Sequence, residues 1–332
     1  MVGVVSSTDV SASPTSEPDG TDWRSRTVAF LGPVGTFSEQ ALLTQPDLAS
    51  AKLVPMPSFS AVLNAVEAGD VGYGFVAIEN AIEGTVNVNQ DTLAFDVDLL
   101  IEREVVLPVH LDLMVRPGTT LDQITRVWSY PHALAQCRKF LAKELALAET
   151  EASNSTADAA RMLAQGDDPH GAAIAPGRAA EVYGLEIIAS AIEDHDNNET
   201  RFVLVAREGI PAATGHDKTS IVVFQRANEP GSLLSILQEF AARGINLTKL
   251  ESRPTGRGLG DYCFLIDLEG HLSDEVVADA LRSLKAKQAD VKFLGSYPMA
   301  GVEGPAVRRE VQESRQRAAA WVDELRSAIR PA

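Results

Sequence analysis

An α/β region followed by a small βαββαβ unit is the architecture the sequence predicts, and three observations predict it. Short apolar runs alternate with helical patterns up to about residue 206, a linker containing Gly209, Pro211 and Gly215 follows, and the order of elements then changes. Strands alternating with helices argue for a largely parallel sheet. The first apolar run, residues 27–31, breaks at Gly32-Pro33-Val34-Gly35, after which residues 38–43 read helically. Ser58 caps a helix in which Phe59, Val62, Leu63 and Val66 recur at helical spacing, ended by Gly69. Residues 73–78 form a second apolar run that ends on the polar pair Glu79-Asn80. Further strands are expected within 105–115 and at 127–129, 172–175, 187–190 and 201–206. Helices are expected at 133–145, 155–165 and 178–183.

Beyond the linker at 208–217, residues 220–225 read as strand. Pro230-Gly231 opens a helix with Leu233, Leu237 and Phe240 on one face, stopped by Gly244. Strand 245–252, turn 256–260 and an alternating strand 262–268 follow, then a helix capped by Ser273 and a last strand at 291–297. That order is the ferredoxin-like one. Residues 1–25 read as a disordered tail, lacking the basic start and apolar run of a signal peptide. Residues 305–332 read as a C-terminal helix with Trp321, Val322, Leu325 and Ile329 on one side.

A hydrophobic fraction of 45% and a charged fraction of 23% allow an ordinary core. The net charge of −17 sets the surface against nucleic acid and anionic membranes, so neither is expected as a partner. No apolar stretch approaches the roughly 18 residues of a membrane span. An anionic substrate therefore needs local donors, for which helix N-termini are suited. Cys137 and Cys263 are far apart in apolar patterns, which fits small core residues in a reducing, cytoplasmic setting. His195 stands between Asp194 and Asp196, but adjacent residues rarely converge on one ion, so no metal is expected.

Four polar constellations sit where strands give way to helices. Thr36, Phe37 and Ser38 follow a glycine-containing turn, a geometry suited to a carboxylate or phosphate and equally to a plain capped turn. The turn lacks both Gly-Lys-[Ser/Thr] and Gly-x-Gly-x-x-Gly, so no nucleotide cofactor is expected. Glu79 and Asn80 close an apolar strand, where open α/β sheets bind ligands. Ser129 ends another, and His132 and Gln136 beyond it share a helical face. Ser155 and Thr156 open a further helix. Thr200 and Arg201 enter the strand of Phe202, offering a hydroxyl and a carboxylate-matched guanidinium.

In this order the segments resemble the prephenate dehydratases. Residues 32–39 look like that family's Gly-x-x-Gly-Thr-[Phe/Tyr]-Ser motif, Ile78-Glu79-Asn80 like its Pro-Ile-Glu-Asn segment, and residues 129–136 like its Ser-His-Pro-Gln region. Asn198 to Phe202 resembles its Asn-x-Thr-Arg-Phe signature. Residues 220–297 are similar to an ACT domain, with Pro230-Gly231-Ser232-Leu233 as its turn and Glu251-Ser252-Arg253-Pro254 as its Glu-Ser-Arg-Pro motif. Ala81, Tyr130, His132 and Ser232 depart from the usual residues of these motifs.

The resemblance implies a catalytic domain at 26–207 made of two lobes, like a periplasmic-binding protein, with the second lobe at about 108–190, and an ACT domain at 218–298. It implies cofactor-free conversion of prephenate to phenylpyruvate, with phenylalanine as effector and a homodimer or homotetramer. Arogenate dehydration, or amino-acid binding without catalysis, are the alternatives. Thr200, Arg201, Asn80, Ser129 and Gln136 are the implied catalytic residues. Thr36, Phe37, Ser38, Glu79, Ser155, Thr156 and Phe202 are the implied substrate contacts. Glu229, Gly231, Ser232, Leu233, Asn246, Leu247, Glu251 and Ser252 are the implied effector contacts.

Overall fold

The computed structural model describes residues 25–225, 229–256, 261–288 and 290–301, with Arg317, Ala320, Trp321, Arg326 and Ser327. The expected tail and C-terminal helix otherwise lie outside the described residues, as do residues 257–260 of the expected turn.

The chain opens with β1 (Thr27–Leu31), α1 (Phe37–Leu43), β2 (Lys52–Met56), α2 (Phe59–Ala68) and β3 (Tyr73–Asn80). Ser58 caps α2 through its side chain, and Gly69 ends it in the left-handed conformation. The short β4 (Gly84–Thr85) and α3 (Asn87–Asp91) lead to β5 (Leu100–Pro108), which carries the chain into a second lobe. That lobe contains β6 (Asp112–Val115), β7 (Arg126–Ser129), α4 (Pro131–Gln136), α5 (Arg138–Glu144) and β8 (Glu149–Ala152). It continues with α6 (Thr156–Gln165), β9 (Gly171–Ala175), α7 (Gly177–Tyr183) and β10 (Glu186–Ala189). The chain returns through β11 (Glu199–Ala206).

The two lobes match the predicted α/β class, with one correction. The sheets are mixed. In the first lobe β2, β1 and β3 are parallel, but β11 runs antiparallel to both β3 and β5. In the second, β8, β7 and β9 are parallel, whereas β6 runs antiparallel to both of its neighbours, β9 and β10. The connectivity explains this: β5 leaves the first lobe and β11 re-enters it, so as neighbours they must oppose each other.

A third sheet, ordered β13-β14-β12-β15, is the ferredoxin-like unit. It comprises β12 (Asp217–Phe224), α8 (Ser232–Ala241), β13 (Leu247–Pro254), β14 (Tyr262–Glu269), α9 (Glu275–Lys287) and β15 (Asp290–Pro298). One face packs under α8 and α9 through Ile221, Val223, Phe240, Phe264 and Leu284. The other merges with the first lobe, where Val222, Cys263, Leu265, Leu294 and Tyr297 share one core with Ile101, Val203 and Val205.

Gly295 makes that junction possible. Its φ is +146°, and a Cβ placed there would lie 2.4 Å from the carbonyl oxygen of Ile101 on β5. Only glycine accepts both the dihedral and the approach. Gly295→Ala is therefore expected to destabilise the protein by about 1–3 kcal/mol, the usual range for overpacking. Chemical denaturation measures it, and an unchanged midpoint would refute the close approach.

Candidate active site and regulatory site

The carboxyl ends of the parallel strands in both lobes face one another. Two contacts show it. Arg178, just after β9, reaches Glu39 on α1, just after β1 (Nη2 to Oε1, 3.2 Å). Glu83, in the turn after β3, meets His132 and Gln136 on α4, just after β7. The Tyr183 hydroxyl also donates to the carbonyl of Val34 across the lobes. Phe37 packs against the cores of both. A cleft at the carboxyl ends of parallel strands is where open α/β sheets bind ligands.

Strand pleating decides which predicted residues reach that cleft. Successive side chains on β11 alternate faces. Thr200 and Phe202 turn toward α1, while Arg201 and Val203 turn toward the third sheet. The Thr200 hydroxyl oxygen accepts from Asn80 Nδ2 at 2.9 Å. Asn80 Nδ2 also donates to Asn198 Oδ1 (2.8 Å), and Asn198 Nδ2 donates to Gln136 Oε1 (3.1 Å). Thus Thr200, Asn80 and Gln136 come together, joined by Asn198 and Glu83, which were not singled out as site residues. Asn198 stood inside the quoted signature; nothing in the sequence marked Glu83 as facing Gln136.

Several expectations need correcting. Arg201 is not in the cleft. Its guanidinium contacts Asp267 (2.6 Å), Glu104 (2.6 Å), Glu79 (3.4 Å) and the Tyr297 hydroxyl (3.0 Å). Glu79 follows it to that face, also approaching Lys249 at 3.7 Å. Phe202 is 1% exposed and stacks on Phe75 at 5.1 Å, as a core residue. Ser129 is fully buried, its hydroxyl donating to the carbonyl of Ile174 at 2.6 Å. The turn at Thr36 holds an anion of the chain's own, because the Gly35 N–H donates to the Glu39 carboxylate. Thr36 spends its hydroxyl on capping, donating to Leu31 O and accepting from Glu39 N, and Ser38 is buried. Ser155 caps α6 by accepting from Asp158 N, and Thr156 is the first helical residue. Among the described residues no group of three His, Cys, Asp or Glu side chains converges as a metal would require.

Burial raises the thiol pKa of Cys137 to about 12 and that of Cys263 to about 11, so both are inert core thiols.

The cluster at Arg201 joins five charged side chains, with Glu79, Glu104, Asp267 and Lys218. Burial disfavours its charge, but Asp267, Tyr297 and Glu104 outweigh that and raise its pKa. Lys218 Nζ adds bonds of 2.9 and 3.1 Å to Glu104. For Asp267, burial pushes the carboxyl up, and Arg201, Ser220 and Lys218 together bring it below its ordinary value.

On the far face of the third sheet lies a depression of about 540 Å³. Glu229, Gly231, Ser232, Leu233 and Ser252 line it, with Leu237, Tyr262 and Phe264. Three predicted effector contacts fall elsewhere. Leu247 packs into the domain core, and the Asn246 carbonyl accepts from Glu269 N. Glu251 accepts from the Thr85 hydroxyl at 2.7 Å, since alternation on β13 turns Lys249, Glu251 and Arg253 toward the first lobe.

Residues 28–210 match the prephenate dehydratase family model and residues 219–286 the ACT domain model. The chain belongs to the prephenate dehydratase family. A prephenate dehydratase of Mycolicibacterium vanbaalenii is 44% identical over 313 residues, 90% of this chain and 98% of that one. The solved structure of an Arthrobacter aurescens prephenate dehydratase in complex with L-Phe is 42% identical. It covers 91% of this chain and 100% of its own, with a TM-score of 0.79. A structure described as a quorum-quenching acylase is 29% identical, covers 83% and 98%, and has a TM-score of 0.76.

If Arg201 ties the regulatory sheet to the catalytic lobe, Arg201→Met strands Asp267 and part of the Glu104 charge in the interior. A loss of about 3 kcal/mol is expected in urea unfolding at neutral pH. The Asp267 pKa is lower folded than unfolded (about 3.9), so its contribution is complete above the unfolded value. It is lost as pH falls through the folded one, and the difference between wild type and variant is expected to shrink there. A variant with unchanged stability and only a raised KM would return Arg201 to the role of substrate clamp.

Proposed function

We propose that this enzyme converts prephenate to phenylpyruvate, losing carbon dioxide and water, with Thr200 assisting departure of the ring hydroxyl. The observation that carries the assignment of Thr200 is the direction of its hydrogen bond. Asn80 Oδ1 accepts from the backbone N–H groups of Ile82 (3.0 Å) and Glu83 (2.9 Å), which are obligate donors. The other end of the amide is therefore NH₂, and it donates to Thr200 Oγ1. Because Thr200 accepts from Asn80, its own hydroxyl hydrogen is not spent there and is available to donate. A leaving hydroxide needs such a donor.

Loss of carbon dioxide leaves electrons that expel the hydroxide, and aromatisation of the ring supplies the driving force. A Thr hydroxyl is a weak acid, so its part is hydrogen bonding along the breaking C–O bond, with the proton completed from solvent. The α6 N-terminus at Ser155 and Thr156, with Arg178 on α7 of the same lobe, is the proposed cradle for the substrate's carboxylates. Helix N-termini and guanidinium groups both favour anions. The −17 charge elsewhere repels such a substrate, which leaves recognition to these local groups.

The depression on the regulatory domain is the proposed phenylalanine site. Leu233, Leu237 and Phe264 offer an apolar wall for the ring, and Glu229, Ser232 and Ser252 offer polar partners for the ammonium and carboxylate. β13 is an edge strand, and Leu250 on it is exposed, as are Leu234 and Tyr262 in the wall of the depression. Such an edge invites pairing with a second copy, in line with a homodimer or homotetramer. No helix among the described residues is long and apolar enough to cross a membrane, and a cytoplasmic setting is part of the proposal.

Thr200→Ala is expected to lower kcat on prephenate at least about a hundredfold, as loss of one aimed donor does, while the fold survives. Phenylpyruvate formation measures it, with arogenate as the comparison substrate; near-normal turnover would remove Thr200 from the mechanism. Leu237→Trp is expected to fill the depression and abolish phenylalanine binding in calorimetry. Undiminished binding would place the effector elsewhere.

A further inference from the structure

The polar chain behind Thr200 has a defined end, and that end bridges the two lobes. Glu83 belongs to the turn after β3 in the first lobe, whereas His132 and Gln136 ride on α4 in the second. Glu83 gives one oxygen to each: Oε2 lies 2.6 Å from His132 Nδ1, and Oε1 accepts from Gln136 Nε2 at 3.1 Å. Tyr130 stacks on the His132 ring with centroids 5.4 Å apart, holding the imidazole plane toward Glu83.

A carboxylate only accepts. Gln136 must therefore present its nitrogen to Glu83 and its oxygen to Asn198 Nδ2 (3.1 Å). Asn198 then has only its oxygen left for Asn80, 2.8 Å away. The polarity of three consecutive amides is thus dictated from Glu83 at one end and by two backbone N–H groups at the other. Both directions agree, and Thr200 is the hydroxyl they leave as donor.

We infer that Glu83 is a positioning residue for the reaction: it is the acceptor-only terminus that holds Gln136, and through it Asn198, in the direction the Asn80 amide requires, and it does so across the cleft, so the chain behind Thr200 is complete only when the lobes meet. Glu83 itself need touch no substrate. The inference rests on the reading of Thr200 as donor.

The test compares Glu83→Gln, the exchange Glu83→Gln with Gln136→Glu, Gln136→Met and Thr200→Ala in the full-length enzyme. In the first, either end of the new amide can face Gln136, so the chain is directed from the Asn80 end alone and its anchor on the second lobe is loosened. In the exchange, Glu at 136 accepts both from Asn198 Nδ2 and from Gln at 83, whose oxygen still accepts from His132. Asn198 is again held from both ends.

Glu83→Gln is expected to lower kcat roughly tenfold to a hundredfold, the cost of a misaligned group, with KM little changed. The exchange is expected to recover most of that loss. Gln136→Met, which cuts the chain from the other lobe without altering Glu83, is expected to match the single Glu83 variant, and serves in its place if that variant does not fold. Wild-type kcat in Glu83→Gln and Gln136→Met, or an exchange no better than Glu83→Gln, would overturn the inference. Retained turnover in Thr200→Ala would instead sink the underlying reading, so the two failures are told apart.

Discussion

A buried guanidinium among carboxylates sets the terms for the rest of this molecule. Arg201, Glu104, Lys218 and Asp267 have side chains 10%, 4%, 7% and 11% exposed, two cations against two anions. Removing such groups from water costs several kcal/mol each, and good geometry repays it only in part. The surrounding contacts are aliphatic and tolerant of sliding, with Val203, Val205, Ile101, Leu265 and Leu294 in one continuous core. The charges are less tolerant: a small displacement leaves one of them unpaired. They therefore fix how the regulatory sheet sits on the catalytic lobe, and the Ser220 and Tyr297 hydroxyls, 2.6 Å apart, complete the lock.

The active-site side of the same strand is organised by hydrogen-bond accounting. Asn198 is 2% exposed, and every polar atom of its side chain has a partner. Amides are ambiguous links, since each can be turned end for end. They become directional only between groups that cannot reverse, here a carboxylate and two backbone N–H groups. The glycine-containing turn at α1 has a comparable economy. Gly35 N–H and Arg178 hold Glu39 across the lobes, so the site's most obvious anion cradle is used to bring the walls together.

The fold was legible because its signals are local. Ser58 and Gly69 bound α2 as expected, and the alternation of Tyr262, Phe264, Ile266 and Leu268 is that of β14. Strand direction was not local: β11 opposes its neighbours because of where the chain has been, which no residue within it reports. The site was legible as a set of motifs and illegible in its facing. The two residues Thr200 and Arg201 sit side by side in one signature, and polarity alone suggested that both serve the cleft. Pleating sends them to opposite faces, and the partners of Arg201 lie 66 and 96 positions later, at Asp267 and Tyr297, or far earlier, at Glu104 on β5. Glu83 was invisible for the same reason: its worth lies in an α4 that is distant in sequence.

Those two facings also constrain how a regulatory signal can travel. A typical coupling free energy between sites is about 1–3 kcal/mol, less than the roughly 3–5 kcal/mol for leaving a buried charge without its partner. An effector that separated Arg201 from Asp267 would spend more than it has. The cluster must then move as a unit, and β11 with it, because Arg201 is part of the strand. Thr200 is the preceding residue, in register with Asn80 on β3 and Leu107 on β5 and hydrogen-bonded through its side chain to Asn80. A tilt of β11 that keeps the ion pairs intact reappears one residue away as a change in where the Thr200 hydroxyl points. Only an effector with different affinities for the two tilts can drive it, and the depression at Ser252 and Phe264 lies on strands of the sheet that carries Asp267.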